Sequence, residues 1–362
     1  MPAYKDDKHG TWYLQFYFNT WTGERKKKLK RGFKRKGDAL EWEREFLNKQ
    51  QANPDMAFAS LVELYFEDME SRLRKSTIAN KKYIIDLKIL PYFKIMPINE
   101  IKATHIRKWQ NKLMQDEKEY SQTYLKVINN QLVAIFNYAV KYYDLKENPC
   151  HKAGTMGKKN ADEMLFWTRE EYQKFIECVS DKQQSITAFE TLYWTGIRIG
   201  ELMALTVSDV DFNNKTITIN KSLQRLYGED IVTPPKTPKS NRIIPITDFL
   251  CKDLNAYINT LYDVKPTDRV FPFTKYFLHS EMNRGCKKSN VKRIRLHDLR
   301  HSHASLLIDL GFTPLLIAER LGHEKIETTL NTYSHLYPNK QNEMVNTLQK
   351  LKVESNQNQE TK

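Results

Sequence analysis

Four separated segments in the C-terminal half of the sequence concentrate arginine, lysine, histidine and tyrosine, residue types that bind anions and move protons. The first segment, TGIRIGEL, places Arg198 after a glycine turn at the start of a predicted helix and Glu201 one turn later. An arginine there can hold a phosphate through two parallel hydrogen bonds, and a carboxylate at i+3 can hold the guanidinium. Taken alone, the pair fits an ordinary surface ion pair better.

Each of the other three segments, taken alone, is also weak evidence for a catalytic site. The second, TPPKTPKSNR, carries Lys236 and is predicted at the tip of a β-hairpin, where a lysine is normally a solvated charge. The third, HDLRHSHAS, places His297 and Arg300 on one helical face at i and i+3. Leu310 is predicted on the buried side of this helix, and Gly311 suits its end.

The fourth segment combines a helix end with a tyrosine, as LGHE is followed by TTLNTYSH. A helix from Pro314 is predicted to end at Gly322, so that His323 lies at the turn after it. Tyr333 lies on a second, short helical stretch.

Together these segments supply the groups for breaking a phosphodiester. Two arginines directed at the non-bridging oxygens would stabilise the negative charge of the pentacoordinate transition state. A tyrosine hydroxyl, with an ordinary pKa near 10, needs a base or a cationic field to act as nucleophile. A histidine or lysine can protonate the leaving sugar oxygen. Covalent capture on tyrosine would conserve the bond energy and permit rejoining without ATP.

A zinc site is the alternative for the histidine-rich region. Five of the nine histidines fall between His297 and His335, and His297, His301 and His303 could in principle bind zinc. The HExxH pattern is missing, and no carboxylate or cysteine lies at ligand spacing, so this alternative is disfavoured.

Composition restricts the class of protein. The 362 residues include 58 Lys and Arg against 44 Asp and Glu, a net charge of +14 that suits a polyanionic partner. The sequence lacks a membrane-length apolar run and a signal peptide, which predicts a cytoplasmic protein. Four distant cysteines without a CxxC pair predict reduced thiols.

The first 49 residues are predicted to form a small module of strands and one helix. An aromatic-rich stretch from Thr11 to Phe18 predicts a strand, Trp21 to Glu24 a turn, and a second strand would precede a helix capped by Asp38. Like charges repel one another unless an anion offsets them, so the basic run between these elements favours DNA contact over a solvated hairpin. The candidate DNA-binding residues are Arg25, Lys26, Lys27, Lys28, Lys30, Arg31, Lys34, Arg35 and Lys36.

Apolar periodicity predicts four helices from Phe58 to about Leu145. The second begins near a cap at Ser76–Thr77 and stops at Pro91. Thr104 can cap the third, with Met114 in its buried stripe, and Ser121 can start the fourth, with Val127 in the core. Residues 50–56 and 147–160 are predicted linkers. The chain from Met164 is predicted to be mainly helical with a small β-sheet. The fold class is therefore multidomain α+β, with an all-α middle domain.

The order Arg198, Lys236, His297-x-x-Arg300, Gly-His323 and Tyr333 resembles the tyrosine recombinase family, which includes integrases of phages and conjugative transposons. The resemblance covers nearly the whole chain. It implies that Arg198 and Arg300 hold the scissile phosphate and that Tyr333 forms a 3′-phosphotyrosine. Lys236, with Lys239 as the alternative, would protonate the 5′-oxygen. His297 would be an acid/base partner, and His323 would donate a hydrogen bond to the phosphate. Glu201 would be a supporting residue.

The resemblance also implies domains and partners. Residues 1–49 would be an arm-type DNA-binding domain, 57–146 a helical SAM-like core-binding domain, 164–352 the catalytic domain and 353–362 a polar tail. The enzyme would act as a homo-tetramer on double-stranded core and arm attachment sites, without metal or nucleotide cofactor. A small directionality factor and a host DNA-bending protein would assist it in integrating and excising a mobile element. The alternatives are a dimer resolvase of the same chemistry and a non-catalytic DNA-binding regulator.

Overall fold

The chain divides into two compact units, Met1–Asp162 and Glu163–Lys362. This computed structural model describes residues 3–19, 25–50, 55–158, 164–235 and 237–334. The predicted α+β class is confirmed, with a small sheet at the N-terminus, a helical middle and a mixed C-terminal part.

The N-terminal sheet has three antiparallel strands in the order β1 (Tyr4–Asp6), β2 (Thr11–Asn19) and β3 (Arg25–Phe33), followed by helix α1 (Lys36–Gln50). Alternate residues of β2 point to opposite faces, so Leu14 and Phe16 are buried with Ala39 of the helix. The strand β1 was not predicted. Asp38 lies in the first turn of α1 and is not its cap, and the predicted turn at residues 21–24 falls outside the described residues.

The rest of the first unit is helical. Its helices are α2 (Phe58–Met69), α3 (Lys75–Ile84), α4 (Leu90–Phe93), α5 (Ala103–Met114), α6 (Gln122–Tyr142) and α7 (Pro149–Ala153), with a π-helical segment Ile85–Ile89 joining α3 to α4. The predicted Ser121 cap is confirmed, since its hydroxyl accepts the Tyr124 N–H. Helices α3 and α5 begin one residue before the predicted caps. Pro91 does not stop the helical run, because it lies in the first turn of α4, where its missing N–H is tolerated.

Two details of the first unit contradict the predictions. Met114 and Val127 were assigned to the core but are 46% and 42% exposed, because each lies beside the buried stripe of its helix. The second predicted linker is structured as far as Lys158. It forms α7, and Met156 is 2% exposed and packs in the core of the unit.

The second unit packs helices around a small sheet. Helices α8 (Arg169–Glu177), α9 (Gln183–Thr195) and α10 (Ile199–Ala204) precede strands β4 (Val210–Asp211), β5 (Thr216–Ile219), β6 (Ser222–Leu226), β7 (Glu229–Thr233) and β8 (Arg242–Pro245). The chain ends in α11 (Asp248–Ile258), α12 (Lys275–Ser289), α13 (Asp298–Asp309), α14 (Pro314–Leu321) and α15 (Ile326–Tyr333).

Strand pairing corrects the predicted hairpin around Lys236. β6 pairs with β7 across a turn at Tyr227 and Gly228, whereas β8 pairs with β5 in the sheet β4-β5-β8. The segment from Thr233 to Arg242 therefore crosses from one sheet to the other and is not a hairpin tip. The sequence predicted a β-rich stretch through residues 215–219 and 242–246, which contain β5 and β8, but it could not specify how the strands pair.

The helices that carry the candidate site end as predicted. α13 is followed by Gly311 and α14 by Gly322, both with positive φ. The predicted burial of Leu310 on α13 is wrong, since its side chain is 64% exposed at the helix end.

All four cysteines are free thiols. None of the helices in the described ranges is long and apolar enough to cross a membrane.

Candidate active site

The buried carboxylate of Glu201 in α10 holds two arginines. It is 3% exposed, and it accepts hydrogen bonds from Arg198 Nη1 at 2.7 Å and Arg242 Nη2 at 2.9 Å. The backbone N–H of Arg198, which caps the helix, also donates to Glu201 at 2.9 Å. Burial by itself would raise the pKa of Glu201, but the guanidinium groups of Arg242 and Arg198 outweigh it and lower the pKa. Glu201 therefore stays ionised and fixes Arg198.

Arg300 lies in the first turn of α13 and is almost completely buried, at 3% exposed. Its Nη1 donates to the Gly196 carbonyl at 2.8 Å and its Nη2 to the Leu321 carbonyl at 2.6 Å. Arg198 Nη2 lies 3.5 Å from the carbonyl of the next residue, Gly322. Burial, together with the positive charge of Arg198, lowers the pKa of Arg300 to about 9. The two arginines thus converge on the C-terminal end of α14. With a pKa of about 9, Arg300 remains cationic near neutral pH.

Two glycine turns permit this convergence. Gly196 has φ of +65°, and a Cβ there would lie 2.6 Å from His303 Cδ2 and 2.7 Å from Leu321 Cδ2. Gly322 has φ of +68°, and a Cβ there would lie 3.1 Å from Arg242 Nη1. Only glycine combines this backbone conformation with so close an approach.

His323 follows directly after the end of α14. Its Nδ1 is 2.8 Å from the hydroxyl of Thr329, a fully buried residue of α15. Burial and the charges of Arg300 and Arg198 lower the pKa of His323 to about 3. The imidazole is therefore neutral, and its contact with Thr329 orients the ring beside the two arginines.

Tyr333, the last residue of α15, is 1% exposed and packs against Ala304, Ile308, Ile317 and Leu321. Burial raises the pKa of its hydroxyl to about 12, although Arg300 acts in the opposite direction. Its Oη lies 2.7 Å from Nδ1 of His301, the residue that follows Arg300 in α13. The predicted nucleophile thus lies next to the arginine cluster with a neutral hydroxyl.

His297 is the N-cap of α13 and is exposed. Its ring lies 5.4 Å from that of His301, and partial desolvation together with the charges of Arg300 and Arg198 lowers its pKa. The neighbouring Asp298 is fully buried and accepts a hydrogen bond from Arg295 at 2.8 Å. His297 is therefore more exposed to solvent than His301 and His323, the other two histidines near Tyr333.

Lys236 lies outside the described residues, so its side chain is not placed. Its chain neighbours lead into a short 3₁₀ helix, Pro238–Ser240, and a Cβ on Gly322 would lie 3.1 Å from the Lys239 carbonyl. The backbone just after Lys236 therefore lies against the end of α14. The side chain of Lys239 is exposed.

Three residues of this site were not predicted from the sequence. Arg242 was named only as the end of a basic segment, and Arg320, which donates to His303 Nε2 at 3.1 Å, was not named. His301 was considered only as a zinc ligand, although its spacing from Arg300 was a usable signal. Across the ranges that the structure describes, no three His, Cys, Asp or Glu side chains are grouped to hold a metal.

The basic candidates of the N-terminal module divide between two faces of its sheet. Lys26, Lys28 and Lys30 are directly opposite Phe18, Phe16 and Leu14, whose side chains face α1. On the other face, Lys27 is opposite Tyr17, the Arg25 guanidinium lies 4.7 Å from the Tyr17 ring, and Arg31 lies 5.5 Å from the Tyr13 ring. The face away from the helix is thus both cationic and aromatic. Lys34, Arg35 and Lys36 follow the strand and are exposed.

Three families match successive parts of the chain. Residues 2–50 match an arm DNA-binding domain, residues 57–114 an N-terminal SAM-like domain of phage integrases, and residues 166–340 the phage integrase family.

Among known proteins, the ICEBs1 integrase of Bacillus subtilis is 34% identical over 361 residues, which cover 93% of this chain and 96% of that protein. The transposase of transposon Tn916 from Enterococcus faecalis is 25% identical over 308 residues, and the alignment covers 76% of this chain and 74% of the transposase. The solved Tn1549 transposon integrase, bound to circular intermediate DNA, aligns with a TM-score of 0.67 at 21% identity over 82% of this chain and 99% of that one.

The lambda integrase tetramer on a Holliday junction aligns with a TM-score of 0.56 at 17% identity, covering 90% of this chain and 96% of that one. At these identities the two solved structures establish the fold alone. Membership rests on the near full-length relative and the three family matches. The chain therefore belongs to the phage integrase family of site-specific tyrosine recombinases, enzymes that cut and rejoin DNA.

Proposed function

We propose that Arg198 and Arg300 bind the scissile phosphate and that Tyr333 attacks it. This assignment rests on the convergence of both guanidinium groups on the end of α14. Tyr333 Oη lies nearby, 2.7 Å from the imidazole of His301, which follows Arg300 in α13. Two cations in a largely buried site stabilise the charge that develops on the phosphoryl oxygens. The attack forms a 3′-phosphotyrosine and releases a 5′-hydroxyl, and the reverse reaction rejoins the strand.

Three further residues complete the proposed reaction. Lys236 protonates the leaving 5′-oxygen, since the backbone at Lys239, three residues on, lies against the end of α14, where Arg198 and Arg300 converge. His323, held neutral next to both arginines, donates a hydrogen bond to a phosphate oxygen. His297 assists acid/base transfer from the exposed start of α13. Glu201 does not touch the phosphate but positions Arg198.

We also propose how the chain engages DNA. Residues 1–49 bind arm sites through the sheet face that carries Arg25, Lys27 and Arg31, because the opposite face is covered by α1. Residues 57–146 form the core-binding domain, 164–352 the catalytic domain and 353–362 a polar tail. A strand surface with cations and aromatic rings can enter a groove while other lysines contact phosphates.

The proposed assembly is a homo-tetramer that joins two DNA duplexes in the bacterial cytoplasm. The lambda integrase tetramer on a Holliday junction supports it by likeness of fold. The relatives from ICEBs1 and Tn916 support a role in integrating and excising a mobile element. A small directionality factor and a host DNA-bending protein are the expected accessory partners.

A covalent-capture assay tests the catalytic assignment. Nicked duplexes from both flanks of the gene in its native element are incubated without metal with the wild type, Tyr333→Phe or Tyr262→Phe, and are resolved on denaturing gels. Tyr262 is 98% exposed and serves as the matched control. We expect an adduct with the wild type and Tyr262→Phe and none with Tyr333→Phe. An adduct with Tyr333→Phe would refute the nucleophile assignment.

A further inference from the structure

A histidine that none of the roles above uses contacts the predicted nucleophile. His301 Nδ1 is 2.7 Å from Tyr333 Oη, and the two rings meet edge to face with centroids 5.6 Å apart. Because α13 carries both Arg300 and His301, the same turn of helix presents a cation and an imidazole to the end of α15. In the described part of the chain, no second hydrogen-bond partner of Tyr333 Oη is found.

The surroundings of His301 keep its imidazole neutral. Burial, followed by the charges of His297, Arg300 and Arg295, lowers the pKa of His301 to about 4, and Asp298 acts in the opposite direction. From the other elements, Tyr333 of α15 faces it directly, and His323 after α14 is close enough to couple to it electrostatically. A neutral imidazole has one ring nitrogen with a free lone pair.

We propose that His301 is a catalytic residue that accepts the proton of Tyr333 as the tyrosine attacks the phosphate. This proposal rests on the proposed role of Tyr333 as nucleophile. With the hydrogen on Nε2, Nδ1 accepts the hydrogen bond from Tyr333 Oη–H. The Oη–phosphorus bond then forms while the proton moves to Nδ1, and the phosphorus–O5′ bond breaks while Lys236 supplies a proton to the 5′-oxygen. In rejoining, His301 returns the proton to Tyr333.

Proton transfer must accompany bond formation. The pKa of Tyr333, at about 12, lies far above that of His301, at about 4, so the free tyrosine keeps its proton. As Oη bonds to phosphorus, its electron density falls and its proton becomes far more acidic. The bound phosphate also adds negative charge beside His301 and favours the imidazolium. Both changes favour transfer in the transition state.

The other described histidines are worse placed for this step. His323 Nδ1 is engaged by Thr329, and His303 accepts a hydrogen bond from Arg320 and would lie against a Cβ at Gly196. His297 contacts the ring of His301 and not that of Tyr333. Each ring is thus directed at another partner, and only His301 among them meets the phenol oxygen.

The test measures adduct formation by the full chain on the nicked duplex that the wild type captures. His301→Asn can keep a hydrogen bond to Tyr333 but cannot take a proton, whereas His301→Ala loses both. General-base catalysis contributes about 10²–10⁴-fold, so we expect both variants to lose roughly 10²-fold or more in rate while binding DNA like the wild type. If His301→Asn keeps nearly the wild-type rate, His301 only positions Tyr333. If His301→Ala forms the adduct faster than the wild type, the contact with His301 holds Tyr333 in an inactive position. Either result overturns the proposal.

A second substrate separates the two proton transfers. Replacing the bridging 5′-oxygen by sulfur creates a leaving group that departs without protonation. This substrate should rescue Lys236→Ala but neither His301 variant, and rescue of the His301 variants would place His301 on the leaving-group side and overturn the proposal.

The wild type gives a readout that is independent of how the variants fold. With the sulfur substrate, its rate should be flat between about pH 7 and 8.5, because a base of low pKa is already unprotonated there. A tenfold rise per pH unit would indicate attack by free phenolate and overturn the proposal. Absence of any wild-type adduct, by contrast, would refute the proposed function itself.

Discussion

Replacing Arg242 by alanine should destabilise the second unit strongly, although Arg242 has no proposed contact with DNA. The Arg242 and Glu201 side chains are 8% and 3% exposed, and their charged atoms are 2.9 Å apart. Arg242 Nε also donates to the Arg320 carbonyl at 2.9 Å, and Nη1 donates to the Ser240 carbonyl at 3.0 Å. The substitution would leave a buried carboxylate with one guanidinium partner and two carbonyls without these donors.

The magnitude follows from these contacts. Removing one partner of a buried ion pair costs about 3–5 kcal/mol, and because Arg198 still pairs with Glu201 we expect the lower end, about 3 kcal/mol. For a unit of this size, that loss corresponds to a fall in melting temperature of roughly 6–12 °C. Calorimetry of the full chain should show the fall in the transition of the second unit, with that of the first unit unchanged.

The control removes an exposed ion pair from the same unit. Arg225 pairs with Asp230 at 3.2 Å, with side chains 54% and 31% exposed, so Arg225→Ala should cost less than about 1 kcal/mol. Equal shifts in melting temperature for the two variants would refute the reasoning that burial makes the Glu201 network expensive to break. Adduct formation by Arg242→Ala should also slow, because Glu201 is left less constrained in holding Arg198.

Three further predictions follow from burial, backbone conformation and strand register. His303 is 2% exposed with its pKa lowered to about 3, so protonation favours the unfolded chain, and stability should fall as pH drops below about 6.5. That loss is about 2 kcal/mol near pH 5, and His303→Gln should reduce the pH dependence of the melting temperature; an unchanged dependence would contradict this. Gly196→Ala should reduce both stability and adduct formation far more than Gly228→Ala, because both glycines have positive φ but only a Cβ at Gly196 meets neighbours within 4 Å. Equal losses would show that backbone strain alone matters. Lys27→Ala should weaken arm-site binding and reduce the slope of log affinity against log salt by about 1, whereas Lys30→Ala on the other face should leave the slope nearly unchanged. Gel shifts at several salt concentrations would decide, and equal slopes would contradict the face assignment.

Much of the fold followed from local sequence pattern. Apolar periodicity predicted α2 and α6, and a glycine at each C-terminus marked the ends of α13 and α14, because these features depend on the nearest few residues. Errors fell where local signals were ambiguous, as at Met114 and Val127 beside the buried stripes. The pairing of β8 with β5 could not be predicted, since nearby strands with similar alternation can pair in several ways.

For the active site, the sequence by itself determined which chemical groups are present. The types and order of Arg198, His297, Arg300, His323 and Tyr333 identified the reaction class before any geometry was known. Only the tertiary structure decided that Arg242 completes the Glu201 network and that His301 meets the Tyr333 hydroxyl. Those partners are 41 and 32 residues apart along the chain. Hydrogen bonds over such separations depend on how helices and strands pack, which no short-range pattern encodes.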